Sequence, residues 1–197
     1  LGLVPQRFFP DSDRAQVLVY VDLPAGSNSR ETDSTVRTLA AVAGDDARFP
    51  RVGDTVAYVG FGGPRFVLSL TPVDPAPHRG FLVLEVDRYE HLAAAVKALR
   101  PAFASAAPHA LIRVQGMFLG PSDSSVLEVQ LKGPDAMHLY RRSQELEALL
   151  AGLPNAIDVR SDWENRLTRV KVEVDQARAR RAGVTSADVA RALATHF

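Results

Sequence analysis

The sequence predicts an α+β protein of two similar halves in tandem, each a βαββαβ sandwich, the second lacking its last strand. Three observations predict it. Short alternating runs rich in Val, Leu and aromatic residues recur along the chain. Between them lie longer stretches whose apolar residues fall at helical spacing. The whole pattern then restarts after the turn-forming Gly120-Pro121-Ser122-Asp123-Ser124-Ser125.

The elements follow in order. Phe8 and Phe9 end an apolar lead-in that Pro10, Asp11, Ser12 and Asp13 break into polar chain. Gln16–Leu23 (QVLVYVDL) reads as a strand with both faces largely covered. Pro24 and Gly26 make the turn. Asn28 with Glu31 three residues later has the pattern of a capping box, and Val36, Leu39, Ala40 and Ala43 continue at helical spacing until Gly44. Asp54–Val59 is strand-like and runs through Gly60-Phe61-Gly62-Gly63-Pro64 into a second apolar stretch, Arg65–Leu70, before a Pro-rich segment. Phe81–Val86 is the next strand. A helix from about Arg88 carries Leu92, Val96, Leu99 and Phe103 on one face, with Pro101 as a kink or stop. Ala110–Phe118 is the last strand of this half. Two βα units of this kind close into an antiparallel sheet with both helices on one face, the ferredoxin-like arrangement.

The second half repeats the start of that order. Val126–Leu131 alternates, and Gly133-Pro134-Asp135 opens a helix bearing Leu139, Leu146 and Leu149 or Leu150, which Gly152-Leu153-Pro154-Asn155 ends. Ile157–Arg160 and Thr168–Val174 read as strands. Asp175–Ala182 and Thr185–Ala194 are short helices with Asp175 and Thr185 or Ser186 as N-caps. The expected divisions are a lead-in over 1–14, a first subdomain over 15–118, a linker over 119–125 and an incomplete second subdomain over 126–197.

Composition narrows the function. The net charge is zero, which argues against a partner bound by phosphate neutralisation, so no nucleic acid is expected. There are no cysteines, which removes disulfides and thiolate chemistry. No run approaches the roughly 18–20 apolar residues that span a bilayer. The chain opens at Leu1 rather than Met, and a piece of a longer protein is expected.

No catalytic constellation is present. His78, His91, His109, His138 and His196 are scattered, with no metal-binding spacing, so neither metal nor cofactor is expected. Asp11 with Asp13 and Asp45 with Asp46 read as solvated loop charge. Arg178, Arg180 and Arg181 sit near a helix end, where cations suit the dipole. The Gly60–Gly63 loop lacks the spacing of a nucleotide loop. It reads either as a plain hairpin connection or as a mobile loop whose Phe61, with Tyr58 and Phe66, lines an apolar cavity. Leu18 and Tyr20 share one face of the first strand, while Leu111, Arg113, Gln115 and Met117 alternate along the last, with Phe118 beyond. Core packing is the default for the apolar members. A guanidinium does not face dry core cheaply, however, and a mixed wall of this kind suits a wet, promiscuous pocket.

The order and wording of several segments resemble the RND (resistance–nodulation–division) efflux transporters. FFPDSDRAQ followed by strand, Leu-Pro-Ala-Gly and capped helix resembles the segment that leaves their seventh transmembrane helix. Gly60-Phe61-Gly62-Gly63 falls where they carry a Gly/Phe-rich loop, Trp163 matches a Trp-containing turn, and VKVEVDQARARRAGVTSADVARAL is similar to their strand, Asp-Gln and two-helix pattern. The resemblance covers essentially the whole chain. It implies a fragment of the second periplasmic loop, comprising the first porter subdomain and most of the next, from an AcrB-like, proton-driven, drug-type permease of the Gram-negative inner membrane. It implies a transporter and no enzyme.

By the same resemblance the substrates are hydrophobic or amphiphilic small molecules. The cleft would be lined by Leu18, Tyr20, Tyr58, Phe61, Gly62, Phe66, Leu111, Arg113, Met117 and Phe118. A periplasmic adaptor and an outer-membrane channel would join the full-length protein, which would be a homotrimer, and the fragment alone would be a monomer or weak dimer. Only Met117 and Met137 are methionines, too few for a methionine-based metal exporter. The competing readings are a free-standing tandem ferredoxin-like sensor of small ligands and an enzyme on the same scaffold. The sensor would lack flanking hydrophobic spans, and the enzyme would need an acid/base or nucleophile set that the sequence does not display.

Overall fold

A computed structural model of the chain describes residues 12–65, 73–117, 127–168 and 171–196. They fall into two compact units that divide between Arg166 and Leu167. The expected linker over 119–125 lies outside the described residues.

The first unit is built on four strands, β1 (Gln16–Asp22), β2 (Val52–Val59), β3 (Arg79–Val86) and β4 (Leu111–Gly116), in the order β2-β3-β1-β4 with every neighbouring pair antiparallel. Helix α1 (Ser29–Ala43) follows β1 and helix α2 (Leu92–Ala106) follows β3, so the chain runs β-α-β-β-α-β. This is the order expected of the first half. β1 is central and buried on both faces. Val17, Val19 and Val21 point with Leu82, Leu84 and Val114 toward the helices, where Val36, Leu39, Leu99 and Phe103 complete the main core.

Local signals explain both helices. The Asn28 side chain accepts from the N–H groups of Arg30 and Glu31 at 3.0 Å each, and Glu31 Oε2 accepts from the Asn28 N–H at 3.1 Å. That capping box satisfies donors that the first turn leaves orphaned. Asn28→Ala should therefore cost about 1 kcal/mol of stability in urea unfolding, and a change indistinguishable from zero would show that water replaces the cap. Of the kink or stop expected at Pro101, the stop does not occur; the helix runs on to Ala106. An interior proline costs about 3 kcal/mol. Leu99 and Phe103, fully buried on either side of it, contribute about 1.5–3 kcal/mol each, which is enough to carry the helix across.

The second half departs from expectation. Helix α3 (Ala136–Ala151) forms behind an Asp135 N-cap and ends at Gly152. The second unit holds α4 (Gln176–Arg181), capped by Asp175, and α5 (Ser186–His196), where Thr185 and Asp188 bond each other reciprocally. Of the three expected strands Val126–Leu131, Ile157–Arg160 and Thr168–Val174, none forms among the described residues. Leu127, Val129, Leu131, Ile157 and Val172 stay exposed. Alternation records which face a strand would bury, but a strand also needs a neighbour to take its N–H and C=O groups. No such ladder partner exists for these stretches among the described residues. Among the described residues the second half therefore shows helices without a sheet of its own.

Candidate functional site

The sheet has a second face, turned away from the helices. The registers place Tyr58 beside Phe81, Phe81 beside Tyr20 and Tyr20 beside Arg113, one residue from each strand in a single row. The next row is Val56, Val83, Leu18 and Gln115. Side chains in such rows touch, since directly opposed Cβ atoms lie about 4.5–5.5 Å apart.

The first row, with Phe61 beyond Tyr58, is a continuous run of tilted and edge-on ring contacts. Ring centroids are 5.8 Å apart for Phe61 and Tyr58, edge-on, 6.1 Å for Tyr58 and Phe81, and 4.9 Å for Phe81 and Tyr20. The Arg113 guanidinium carbon sits 4.1 Å from the centre of the Tyr20 ring. Aromatic pairs of this kind add about 0.5–1.5 kcal/mol each beyond area burial, and a cation over a ring adds a similar amount. The loop after β2 is set onto this row. Gly62 and Gly63 are both buried. A Cβ on Gly63 would come within 2.6 Å of the Phe81 ring, and one on Gly62 would collide with the Val73 side chain. Only glycine lets the backbone lie this close.

The ten residues expected to line a cleft are distributed unevenly. Leu18, Tyr20 and Met117 are buried with Phe81 in a small second core, against which Tyr58, Val73 and Val83 pack. Phe61, Tyr58 and Arg113 are half-buried, and Leu111 is exposed beyond the end of the aromatic row, opposite Asp22. Phe66 and Phe118 lie outside the described residues. Sequence reading passed over Phe81, which joins the two tyrosines. Its alternation with Val83 was visible, but its alignment with Tyr58 and Tyr20 is a matter of register.

Arg113 is in an unusual electrostatic position. Burial pushes its pKa down, and the charge of Arg160 adds to that, against the opposing pull of Tyr20, Asp22 and Asp158. Burial also raises the Tyr20 phenol, with Arg113 drawing it partly back. The Arg113 Nε is buried with no hydrogen-bond partner among the described residues. The two carboxylates nearest in effect have other cations. Asp22 lies 3.5 Å from Arg79 Nε, and Asp158 lies 3.9 Å from Arg100 Nη2, which also donates to the Val114 carbonyl.

Residues 158–165 reach this region because their end is tied down. The Ala25 N–H donates to Asn165 Oδ1 at 2.6 Å, while Glu164 sits 3.3 Å from both His78 Nε2 and Arg79 Nη2. Two hollows elsewhere, about 480 Å³ beside Glu31, Thr35 and His109 and about 490 Å³ along α5, do not touch the aromatic row. Among the described residues no three His, Asp or Glu side chains group to hold a metal, and no helix is long and apolar enough to cross a membrane.

A family model described as the AcrB/AcrD/AcrF family matches residues 1–197. The chain belongs to the AcrB/AcrD/AcrF family. Members of the AcrB/AcrD/AcrF family are inner-membrane RND efflux permeases, transporters rather than enzymes. Among solved structures the chain is similar to one described as a heavy metal efflux pump, with a TM-score of 0.59 and 19% sequence identity over 91% of this chain. At that identity the likeness is one of fold. The chain spans 19% of the pump's length.

Proposed function

We propose that this AcrB/AcrD/AcrF chain is a periplasmic porter portion of a proton-driven RND multidrug efflux permease, and that its helix-free sheet face borders the substrate cleft. Residues 15–118 form the first porter subdomain, 126–197 belong to the next, and 119–125 join them. The full-length protein works as a homotrimer with a periplasmic adaptor and an outer-membrane channel. The observation that carries the cleft assignment is the half-buried rim of the row, Phe61 and Tyr58 at one end and Arg113 at the other, held by the buried rings of Phe81 and Tyr20. Half-buried rings with a polar side chain nearby offer contact to varied apolar molecules without demanding one hydrogen-bond pattern. Hydrophobic or amphiphilic small molecules are the substrates that such a wall favours. A thioether-based metal path is not favoured, because Met117 is buried within the second core and Met137 lies on α3.

Phe61 tests this reading. It is half-buried and meets Tyr58 edge-on, so its truncation should cost far less than the roughly 3–5 kcal/mol of a core phenylalanine. Phe61→Ala in the full-length transporter should reduce resistance to bulky apolar drugs several-fold while leaving the melting temperature nearly unchanged. A marked loss of thermal stability with an unaltered drug profile would show that Phe61 only packs the loop.

A further inference from the structure

We propose that Trp163, Glu164 and Asn165 form a releasable latch that fastens helix α3 to the first sandwich, with Asn165 as its catch. The turn after β1 supplies the seat. The Ser27 N–H donates to the Pro24 carbonyl at 3.0 Å and Gly26 takes φ of +97°, which leaves the N–H and C=O of Ala25 without a partner inside the turn. Ala25 is buried, so both groups need partners from elsewhere. The Asn165 carboxamide supplies both, its Oδ1 accepting from the Ala25 N–H at 2.6 Å and its Nδ2 donating to the Ala25 carbonyl at 3.3 Å. A single side chain thus does what a neighbouring strand would do.

The two residues before Asn165 extend the grip in opposite directions. Glu164 Oε1 lies 3.3 Å from both His78 Nε2 and Arg79 Nη2, at the start of β3. Trp163 lies against Tyr140 of α3, with ring centroids 5.6 Å apart and the rings tilted. Three consecutive residues therefore touch the sandwich at one end and α3 at the other. Little else holds this stretch. Helix α3 has no buried residue, no strand forms over 157–168, and Ile157, Trp163 and Leu167 stay exposed. The ion pair of Asp158 with Arg100, at 3.9 Å, is a long one. The main core of the sandwich contains none of the latch residues. A few hydrogen bonds and a half-exposed ion pair, all exchangeable for bonds to water, are contacts that open locally while a core stays folded. Opening the latch would free α3 from the sandwich without disturbing either.

The test uses the whole 197-residue chain, in which Trp163 is the only tryptophan, so its fluorescence reports on the latch alone. Amide hydrogen exchange at Ala25 reports on the catch. In Asn165→Ala the Ala25 amide should exchange about tenfold faster, the size of one hydrogen bond, and acrylamide should quench Trp163 more strongly than in the wild type. Tyr140→Leu acts at the far end and keeps a good helix former in α3. It should also speed Ala25 exchange, by about threefold, the size of one aromatic contact. The urea midpoint read by far-ultraviolet circular dichroism should stay at the wild-type value in both variants, because neither residue belongs to the core. Unchanged Ala25 exchange in Asn165→Ala would show that Asn165 is not the catch. Unchanged exchange in Tyr140→Leu would show two separate contacts in place of one latch. Either result overturns the inference. A collapsed urea midpoint in Asn165→Ala overturns it as well, by making Asn165 a part of the fold that cannot be released.

Discussion

Phe103→Ala is expected to destabilise the chain by about 3–5 kcal/mol in equilibrium urea unfolding. Phe103 is fully buried on α2, in the core between the helices and the sheet, and is among its largest side chains. Its removal leaves a cavity that neighbours such as Leu99, Leu39 and Val114 cannot close without leaving their rotamers. A domain of this size typically has about 5–15 kcal/mol in total, so the variant should unfold at a much lower denaturant midpoint. The effect should exceed that of Phe61→Ala by several-fold, because the two phenylalanines differ in burial rather than in chemistry. A loss below about 1 kcal/mol would mean that the helix layer is loosely packed and that the core described for α1, α2 and the sheet is wrong.

Gly63→Ala is the second large effect. Gly63 has φ of +97°, in the region that residues with a Cβ rarely adopt, and its backbone lies against Phe81. Holding alanine there costs about 1–3 kcal/mol in backbone strain. The new methyl would sit 2.6 Å from the Phe81 ring, and overpacking of that kind costs about 1–3 kcal/mol more unless the ring or the loop moves. The expected loss is about 2–6 kcal/mol, accompanied by a changed near-ultraviolet circular dichroism signal from the row of Tyr58, Phe81 and Tyr20. In the full-length transporter the displaced loop should carry Phe61 away from Tyr58 and so mimic Phe61→Ala in its drug profile. Wild-type stability and an unchanged aromatic signal would show that the loop does not lie on Phe81.

How much of this was legible beforehand depends on the range of the interaction involved. The capping box of α1 was readable because Asn28 and Glu31 act on backbone groups within three residues. The N-caps Asp135 and Asp175 were readable for the same reason. Whether Pro101 stopped α2 was not readable, because its cost is local while the burial of Leu99 and Phe103 that offsets it is not. The strand expected at Ile157–Arg160 failed from the same cause. Its pattern was suited to a sheet, but its own Asp158 is held by Arg100, and Glu164 beyond it by Arg79 and His78, all of the first sandwich.

The sequence by itself determined the family, the β-α-β-β-α-β order of the first sandwich and the face that each side chain takes within its own strand. It placed Leu18 with Tyr20, and Arg113 with Gln115, because alternation is a property of one strand alone. Only the tertiary structure decided that Tyr58, Phe81, Tyr20 and Arg113 form one row, since a one-residue slip in any pairing would put the neighbouring side chain in that position on the other face. It also decided that Asp22 and Asp158 face Arg79 and Arg100, while the Arg113 Nε has no hydrogen bond among the described residues. Register and charge pairing are set by contacts between residues far apart in the chain, and such contacts exist only once the sheet has formed.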